Sequence, residues 1–200
     1  MDAAEGGAVV IESLSHAKLT NELMHDMAVL FHDGFSSKRC CLVCGSSLSE
    51  VESSVKSHYP KFPEAKLDAC GIAYDSARNM LGLTQLGFHD TPVDFELGMF
   101  PCLASRPPRE KCHLERIVVG AKARGKGVGT KLLTWADAKA REKGCAIILL
   151  EVVNGNPAKR LYEKHGYENK SGFMDRLLMC PCVCCLMGNL YADTMVKPLG

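Results

Sequence analysis

A glycine-rich segment, Arg124-Gly125-Lys126-Gly127-Val128-Gly129-Thr130, has the residue types needed to hold a pyrophosphate. Glycine lets the backbone approach a ligand closely and turn its N–H groups inward, and a following helix adds the positive end of its dipole. Arg124 and Lys126 add positive charge at the edge of the segment. The pattern therefore predicts a phosphate-binding loop at residues 124–130.

Three phosphate-binding patterns compete for this segment. A Walker A loop is incomplete, because Gly127 follows Lys126 where a serine or threonine should bind Mg²⁺. A dinucleotide-binding fingerprint is also incomplete, because Thr130 stands where its last glycine belongs. The third pattern, Arg-x-x-Gly-x-Gly, is matched in full by Arg124, Gly127 and Gly129.

The elements around the loop alternate between strand and helix. A strand is predicted at 113–119 before the loop, and a helix at 130–143 after it. An almost wholly apolar run at 145–153 predicts a central strand buried on both faces. Asn156, followed by proline, predicts the capped start of a short helix that ends at Gly166. This order of elements predicts an α/β or α+β domain with mixed strands.

The first half of the chain is less regular. Apolar residues at helical spacing predict a helix within 16–35, and a weaker amphipathic helix is predicted at 49–58 with Ser49 as its cap. Short apolar runs bounded by turn residues predict further strands at 9–14, 67–74 and 80–88.

Together these features resemble the GNAT superfamily of N-acetyltransferases. The resemblance is carried by residues 113–167, with the Arg-x-x-Gly-x-Gly loop and the Asn156-Pro157-Ala158 helix start, and by 194–199, which is similar to the family's closing strand. It implies the acyl-CoA N-acyltransferase fold, a mixed central sheet flanked by helices. The implied organisation is one N-acetyltransferase domain over 1–200, with the cofactor core at 113–167 and a variable acceptor-side half at 8–112.

The resemblance implies acetyl-CoA as the acyl donor. Backbone groups of Ile117, Val118 and Val119 are then expected to pair with the pantetheine arm. Asn156 is expected near the pantetheine as well, although a plain helix cap explains that residue equally well. The residues expected around the pyrophosphate are Arg124, Gly125, Lys126, Gly127, Val128, Gly129 and Thr130.

Acetyl transfer to an amine needs a base, because an amine with a pKa of about 10 is mostly ammonium at neutral pH. His113 and Glu115 lie two residues apart on one predicted strand, so both should project from the same face. Histidine is the natural base near neutrality, and a glutamate in an apolar cleft has a raised pKa. The alternative is that Glu115 pairs with a neighbouring basic residue and His113 is an ordinary strand-end residue.

A narrower likeness concerns the same two positions. Arylalkylamine (serotonin-type) N-acetyltransferases carry two histidines at the places of His113 and Glu115, so Glu115 is a departure from that pattern. By the family resemblance Tyr162 is the candidate acid for the departing CoA thiolate; without the resemblance it would be a core aromatic residue. The acceptor implied by this likeness is a small arylalkylamine or similar primary amine.

Two other functions stay open. One is acetylation of protein N-termini or lysines, and the other is a non-catalytic sensor that binds acyl-CoA. Acceptor choice should reside in the first half of the chain and in the proline-containing segment at 88–112. Apolar residues there that could wall a pocket are Phe95, Leu97, Met99 and Phe100, and acidic residues that could attract an ammonium are Asp90, Asp94 and Glu96.

Cysteine usage allows a zinc site without favouring one. Cys41 and Cys44 form one C-x-x-C pair, and Cys182 and Cys185 form another with Cys180 and Cys184 nearby. The pairs are far apart, and the second lies in an apolar run that favours buried thiols, so no metal is predicted. Eleven cysteines, an odd number, favour reduced thiols in the cytoplasm over a disulfide framework.

Composition excludes other classes of protein. The net charge is +1 from 24 basic and 23 acidic residues, which does not favour a nucleic-acid-binding protein. No run approaches the ~18 apolar residues of a membrane span. The acidic first residues do not resemble a secretion signal, so a cytoplasmic location is expected.

Overall fold

The strands form from short runs rich in β-branched and apolar residues, and the longer helices from apolar residues three to four apart. The computed structural model describes residues 8–35, 47–92, 106–172 and 192–200. In chain order the strands are β1 (Val10–Ser13), β2 (Cys70–Tyr74), β3 (Met80–Gly87), β4 (Lys111–Val119), β5 (Ile147–Val153), β6 (Glu168–Asn169) and β7 (Ala192–Pro198). The helices are α1 (Asn21–Phe35), α2 (Leu48–His58), α3 (Glu64–Asp68), α4 (Val128–Glu142) and α5 (Lys159–Lys164).

The seven strands of the described residues form one sheet with the order β1-β2-β3-β4-β5-β7-β6. Strands β1 to β4 are antiparallel neighbours, whereas β5 runs parallel to β4. Strand β7 is antiparallel to both β5 and β6. Helix α4 connects the two parallel strands, as a parallel pair requires. The mixed sheet flanked by helices is therefore confirmed.

Helices cover both faces of the sheet. On β2, Ile72 belongs to the cluster formed with α1 and α2, whereas the next residue, Ala73, packs with Leu132 of α4. Consecutive strand residues point to opposite faces, so α1 and α4 lie on opposite sides. The side that carries α1 and α2 is called the α1 face below, and the side that carries α4 is called the α4 face.

The prediction that the apolar run at 145–153 is buried on both faces is wrong. Ile148, Leu150 and Val152 are buried under α4, but Leu149 and Val153 are partly exposed, and Glu151 is the most exposed residue of the strand. The cluster made by α1 and α2 reaches β2, β3 and β4 and includes no residue of β5. The α1 face of β5 is therefore open among the described residues, which an apolar sequence alone does not reveal.

Local turn chemistry shifts two predicted boundaries in the first half. Helix α2 is capped by Ser47 in a capping box with Glu50, not by Ser49, because the Ser-x-x-Glu pattern occurs in two overlapping registers. Most of the predicted strand at 67–74 is correct, but its start belongs to α3, which begins after Pro63. The chain enters the sheet only at Cys70.

Most of the other predicted elements occur close to their predicted places. Helix α1 begins at Asn21 and not near residue 16, because residues 14–16 form a separate 3-10 turn. Helix α4 begins at Val128, inside the glycine-rich segment. The predicted strands at 9–14, 80–88, 113–119 and 194–199 correspond to β1, β3, β4 and β7.

Candidate active site

The two parallel strands at the centre of the sheet pair over a short distance only. Their register runs from Lys111↔Ile147 to His113↔Leu149 and stops there. Strand β4 nevertheless continues to Val119 and β5 to Val153. Both strands stay paired with their other neighbours along these stretches. The carboxyl-terminal halves of β4 and β5 thus border an opening in the middle of the sheet.

A β-bulge in β4 lies at the start of this opening. Adjacent residues of β3 pair with Arg116 and Leu114, so Glu115 is an extra residue without a partner in the register. Gly87 of β3 makes room for it, since a Cβ atom on Gly87 would lie 2.3 Å from Oε1 of Glu115. The bulge changes which residues of β4 face which helix.

The change of face is visible in the packing on either side of the bulge. Cys112 and Leu114 belong to the cluster on the α4 face, whereas Val118 belongs to the cluster on the α1 face. The guanidinium of Arg116 lies on the α1 face too, 4.8 Å from the ring centre of Phe31. Without an extra residue these even-numbered positions would all share one face. The bulge therefore brings Glu115 and Arg116 together on the α1 face.

His113 is paired with a carboxylate of the neighbouring strand. Its Nε2 lies 2.5 Å from Oε2 of Glu151, and the two side chains are 20% and 28% exposed. Burial by itself would lower the pKa of His113, but the hydrogen bond and charge of Glu151, with the charge of Glu115, outweigh it and raise that pKa. His113 and Glu151 thus form a partly exposed pair where β4 and β5 separate.

Glu115 is held in a separate, largely buried network. Lys66 of α3, whose side chain is 0% exposed, donates to Oε2 of Glu115 at 2.6 Å, and Gln85 donates to the same oxygen at 2.8 Å. Tyr59 donates in turn to Gln85 at 2.9 Å, and Arg116 donates to the Tyr59 hydroxyl at 3.0 Å. Glu115 thus pairs with a basic residue, Lys66, and its role as a base stays a prediction.

Tyr162 lies on the opposite side of the sheet. It belongs to the cluster on the α4 face that also contains Leu150 and Val152 of β5, which border the opening. Burial raises the pKa of its phenol to about 12. Its ring meets that of Tyr167 edge-on at 5.9 Å, and its hydroxyl has no hydrogen-bond partner among the described residues. The Tyr162 hydroxyl is therefore protonated at neutral pH and unpaired within the described residues.

The glycine-rich segment presents backbone N–H groups at the start of α4. Gly125 and Gly127 have φ angles of +75° and +78°, which residues with a Cβ atom rarely adopt. A Cβ atom on either glycine would meet nothing within 4 Å. Gly127 caps α4 without any side-chain hydrogen bond, and the first helical bond runs from Lys131 N–H to its carbonyl. The N–H groups of residues 128–130 thus have no helical acceptor, so the segment fits an anionic group.

Two contacts fix this segment against its surroundings. Arg124 donates from Nε to the carbonyl of Val119 at 3.1 Å and so ties the loop to the end of β4. A Cβ atom on Gly129 would lie 2.8 Å from a methyl group of Leu161, which shows how closely α4 approaches α5. The loop, the end of β4 and the helix that carries Tyr162 are therefore mutually positioned.

Comparison with known proteins agrees with this geometry. The model of the Acetyltransferase (GNAT) family matches residues 65–167, which is more than half of the 200 residues. The chain belongs to the GNAT acetyltransferase family. The matched region begins at α3 and so includes Lys66, which lies outside the cofactor core predicted from the sequence.

Among known sequences, this GNAT chain is 32% identical to an uncharacterized N-acetyltransferase, YhfO, of Bacillus subtilis over 84 residues. That alignment covers 42% of this chain and 56% of the relative, so it spans just over half the relative's length. Solved structures with a similar fold include PH1933 of Pyrococcus horikoshii OT3, with a TM-score of 0.61 at 20% identity over 96% of this chain and 98% of that one. PaiA N-acetyltransferase of Thermoplasma acidophilum, solved with coenzyme A, has a TM-score of 0.56 at 15% identity over 96% and 99%.

Asn156 of the GNAT chain shapes the turn before α5. Its Oδ1 accepts the N–H of Ala158 at 3.0 Å, and its carbonyl accepts the N–H of Lys159 at 3.1 Å. The residue that caps α5 is Ala158, so the predicted cap at Asn156 is placed two residues too early. The turn explains Asn156 without a ligand, and a contact with pantetheine stays a prediction.

Sequence reasoning missed three residues that contact the predicted pair. Glu151 had a usable signal, because it is the only charged residue of β5. Gln85 and Lys66 had none, since neither lies in a motif and Lys66 reaches Glu115 from a helix 49 residues away in sequence. His113 and Glu115 do share the α1 face, but each is bound to a different partner.

Some predicted features lie outside the described residues. They are Cys41, Cys44, Cys180, Cys182, Cys184 and Cys185 of the zinc alternative, and Asp94, Phe95, Glu96, Leu97, Met99 and Phe100 of the acceptor segment. Asp90 is described, and it is exposed beside His89. In the part of the chain that the structure describes, no cluster of three or more His, Cys, Asp or Glu residues is suited to a metal, and no helix is long and apolar enough to cross a membrane.

Proposed function

We propose that this GNAT chain is an N-acetyltransferase that moves an acetyl group from acetyl-CoA to a primary amine, with a small arylalkylamine-type acceptor. One observation carries the proposal. The opening between β4 and β5 has the His113–Glu151 pair on the α1 face and Tyr162 in the cluster on the α4 face. A group inserted between the strands would therefore meet a base on one side and a phenol on the other.

In this proposal the acyl donor, acetyl-CoA, is bound mainly by backbone groups and less by side chains. The N–H groups from Gly125 to Thr130 bind the pyrophosphate, with Arg124 and Lys126, both exposed, as countercharges. The β4 edge from Ile117 to Val119 lies beyond the last pair with β5 and offers main-chain groups to the pantetheine arm. Asn156, in the turn before α5, is the last of the proposed acetyl-CoA contacts and lies near the pantetheine arm in this proposal.

The proposed reaction moves two protons. His113 removes one proton from the acceptor ammonium and passes it to water, which leaves a neutral amine able to attack. A C–N bond forms at the acetyl carbonyl carbon and the C–S bond to CoA breaks. Tyr162 gives its phenol proton to the departing sulfur, and the second proton lost by the amine nitrogen passes through water to the Tyr162 phenolate, which restores the phenol. The products are the acetamide, CoA thiol and one proton.

The charge beside His113 suits a cationic acceptor. Glu151 is partly exposed on the α1 face of β5, so its carboxylate attracts an ammonium to the base. Leu149, two residues earlier on the same face, is partly exposed and offers apolar contact to the body of the amine. An acceptor that combines an ammonium with an apolar body matches both side chains.

Two broader features complete the proposal. We place the activity in a single domain over residues 1–200, because all seven described strands belong to one sheet. We place the protein in the cytoplasm, since Cys70, Cys112 and Cys145 are buried free thiols.

The test is to incubate the purified protein with acetyl-CoA and a panel of acceptors, and to identify products by mass spectrometry. The panel contains phenethylamine and tryptamine, the corresponding aryl alcohols as matched controls, and peptides with a free N-terminus or lysine. Acetylated arylamines, with unmodified alcohols, are the expected result. Acetylation of peptides alone would replace the proposed acceptor class, and binding of acetyl-CoA without any product would favour a sensor. Absence of both would overturn the proposal.

A further inference from the structure

The two candidate bases, His113 and Glu115, are held by different partners. Oε2 of Glu115 already accepts hydrogen bonds from Lys66 and Gln85. Lys66 also donates to the carbonyl of Leu86 at 3.3 Å and is fully buried, so Glu115 is its charged partner. Protonating Glu115 would leave a buried ammonium without a counter-ion, which is costly. Glu115 is therefore the buried counter-ion of Lys66, a role in the stability of the fold.

His113, in contrast, has one ring nitrogen occupied and one open. An ionised carboxylate can only accept hydrogen bonds, so the contact with Glu151 requires a proton on Nε2 of His113. In the neutral imidazole the other nitrogen, Nδ1, then carries a lone pair. Within the described residues Nδ1 has no hydrogen-bond partner. The pair thus fixes one tautomer of the neutral ring.

We propose that Glu151 is a positioning residue, which orients His113 with Nε2–H toward β5 and leaves Nδ1 as the base that deprotonates the acceptor amine, while Glu115 serves as the counter-ion of Lys66. The inference rests on the proposed function and adds to it which nitrogen of His113 is the base and which residue orients the ring. When Nδ1 takes the proton, the ring becomes an imidazolium whose charge Glu151 stabilises. The proton then passes to water, and the neutral tautomer returns.

The charges that face His113 come from three elements. Glu151 of β5 and Glu115 of β4 stabilise the protonated ring, whereas Lys66 of α3 opposes them. Neutralising Glu151 therefore makes His113 lose its proton at a lower pH and also makes it a weaker base. A plain surface ion pair would have no such effect on the chemistry, because exposed pairs contribute little.

The test compares Glu151→Gln, Glu151→Asp and Glu115→Gln with wild type in the full-length protein, with Glu110→Gln as the control. Glu110 is exposed and precedes β4, and only its backbone makes described hydrogen bonds. The readouts are kcat, the KM for each substrate, and the pH dependence of kcat/KM with the best acceptor. Ring nitrogen shifts of His113 are measured by NMR without substrates and assigned with His113→Gln.

For Glu151→Gln we expect kcat to fall at least roughly tenfold with the KM for acetyl-CoA unchanged, since general-base catalysis contributes 10²- to 10⁴-fold. The acidic limb of the pH profile should move down by about one unit, because a neighbouring charge shifts a pKa by that order. Glu151→Asp keeps the charge, so it should keep the limb and recover part of kcat. NMR should show only the Nε2–H tautomer in wild type and a mixture of the two tautomers in Glu151→Gln, because an amide can both accept and donate. Glu110→Gln should match wild type.

Two results would overturn the inference. One is a Glu151→Gln variant with the kcat and the acidic limb of the pH profile of wild type. The other is a Glu115→Gln variant whose pH profile has no acidic limb. If Glu115→Gln fails to fold, the double variant Lys66→Met/Glu115→Gln removes both buried charges and answers the same question. Failure of the proposed function looks different, because then no variant, wild type included, acetylates any amine. NMR still shows in that case whether Glu151 holds the tautomer, and a mixed or Nδ1–H ring in wild type would overturn the positioning contact.

Discussion

The ammonium of Lys66 lies 2.6 Å from the carboxylate of Glu115, and the lysine side chain is entirely buried. Removing one member of such a pair leaves the other charge uncompensated in the protein interior. We predict that Lys66→Met lowers the free energy of unfolding by about 3 kcal/mol. The double variant Lys66→Met/Glu115→Gln should lose much less. Urea denaturation of both single variants and the double variant measures the coupling, and a loss in the double variant equal to the sum of the two single losses would show that the pair is not coupled.

The hydroxyl of Tyr162 is predicted to act in the reaction and not in folding. With a pKa raised to about 12, the phenol stays protonated throughout the neutral range, so it should produce no alkaline limb below that pH. Tyr162→Phe should lower kcat by roughly 100-fold, as loss of a general acid does, and leave the KM for acetyl-CoA unchanged.

Tyr167→Phe is the matched control for this prediction. Tyr167 is a neighbouring buried tyrosine whose hydroxyl has no hydrogen-bond partner in the described part of the chain. Removing that hydroxyl should leave kcat unchanged and stability equal or slightly higher. Similar losses of kcat in both variants would assign the effect to packing and not to proton transfer.

Gly127 and Gly144 offer a paired test of the phosphate-binding loop. Their φ angles are +78° and +74°, and a Cβ atom on either would meet nothing within 4 Å. Alanine at each position should cost about 1 kcal/mol of stability through backbone strain alone. Gly127→Ala should in addition raise the Kd for acetyl-CoA roughly tenfold, a loss of about 1.4 kcal/mol. Calorimetric titration that finds the same affinity in both variants would place the pyrophosphate elsewhere.

The His113–Glu151 pair should make stability depend on pH. The pKa of His113 is raised in the folded state, so the folded protein binds its proton more tightly than the unfolded chain does. The contribution is full below the unfolded pKa of about 6.5 and is lost as pH rises through the folded pKa. His113→Gln should therefore cost more stability at pH 6 than at pH 9. Denaturation curves at the two values check this, and an equal cost would contradict the raised pKa.

Motifs that depend on backbone chemistry were readable from the sequence. Gly125 and Gly127 adopt the positive φ angles that only glycine tolerates well, and Arg124 is placed beside them by sequence adjacency. The strand before the loop, the helix after it and the closing strand followed from periodicity and capping signals. These features are local, so one sequence contains the information needed to predict them.

The partners of the candidate bases were not readable in the same way. Glu115 shares a face with Arg116 because of a bulge, which alternation along a strand does not predict. Lys66 reaches Glu115 from α3, part of which had been predicted as a strand. Such contacts between distant parts of the chain depend on tertiary packing, so the sequence could name His113 and Glu115 but could not decide between them.

The central claim is acetyl transfer to a small aromatic amine, and one competition experiment tests it most directly. Tryptamine, a peptide with a free N-terminus and a lysine peptide are mixed at equal concentration with acetyl-CoA and the full-length protein, and initial products are quantified by mass spectrometry. The account predicts that N-acetyltryptamine is the dominant product and that His113→Gln suppresses it. Acetylated peptide as the dominant product, or tryptamine acetylation that His113→Gln leaves unchanged, would contradict it.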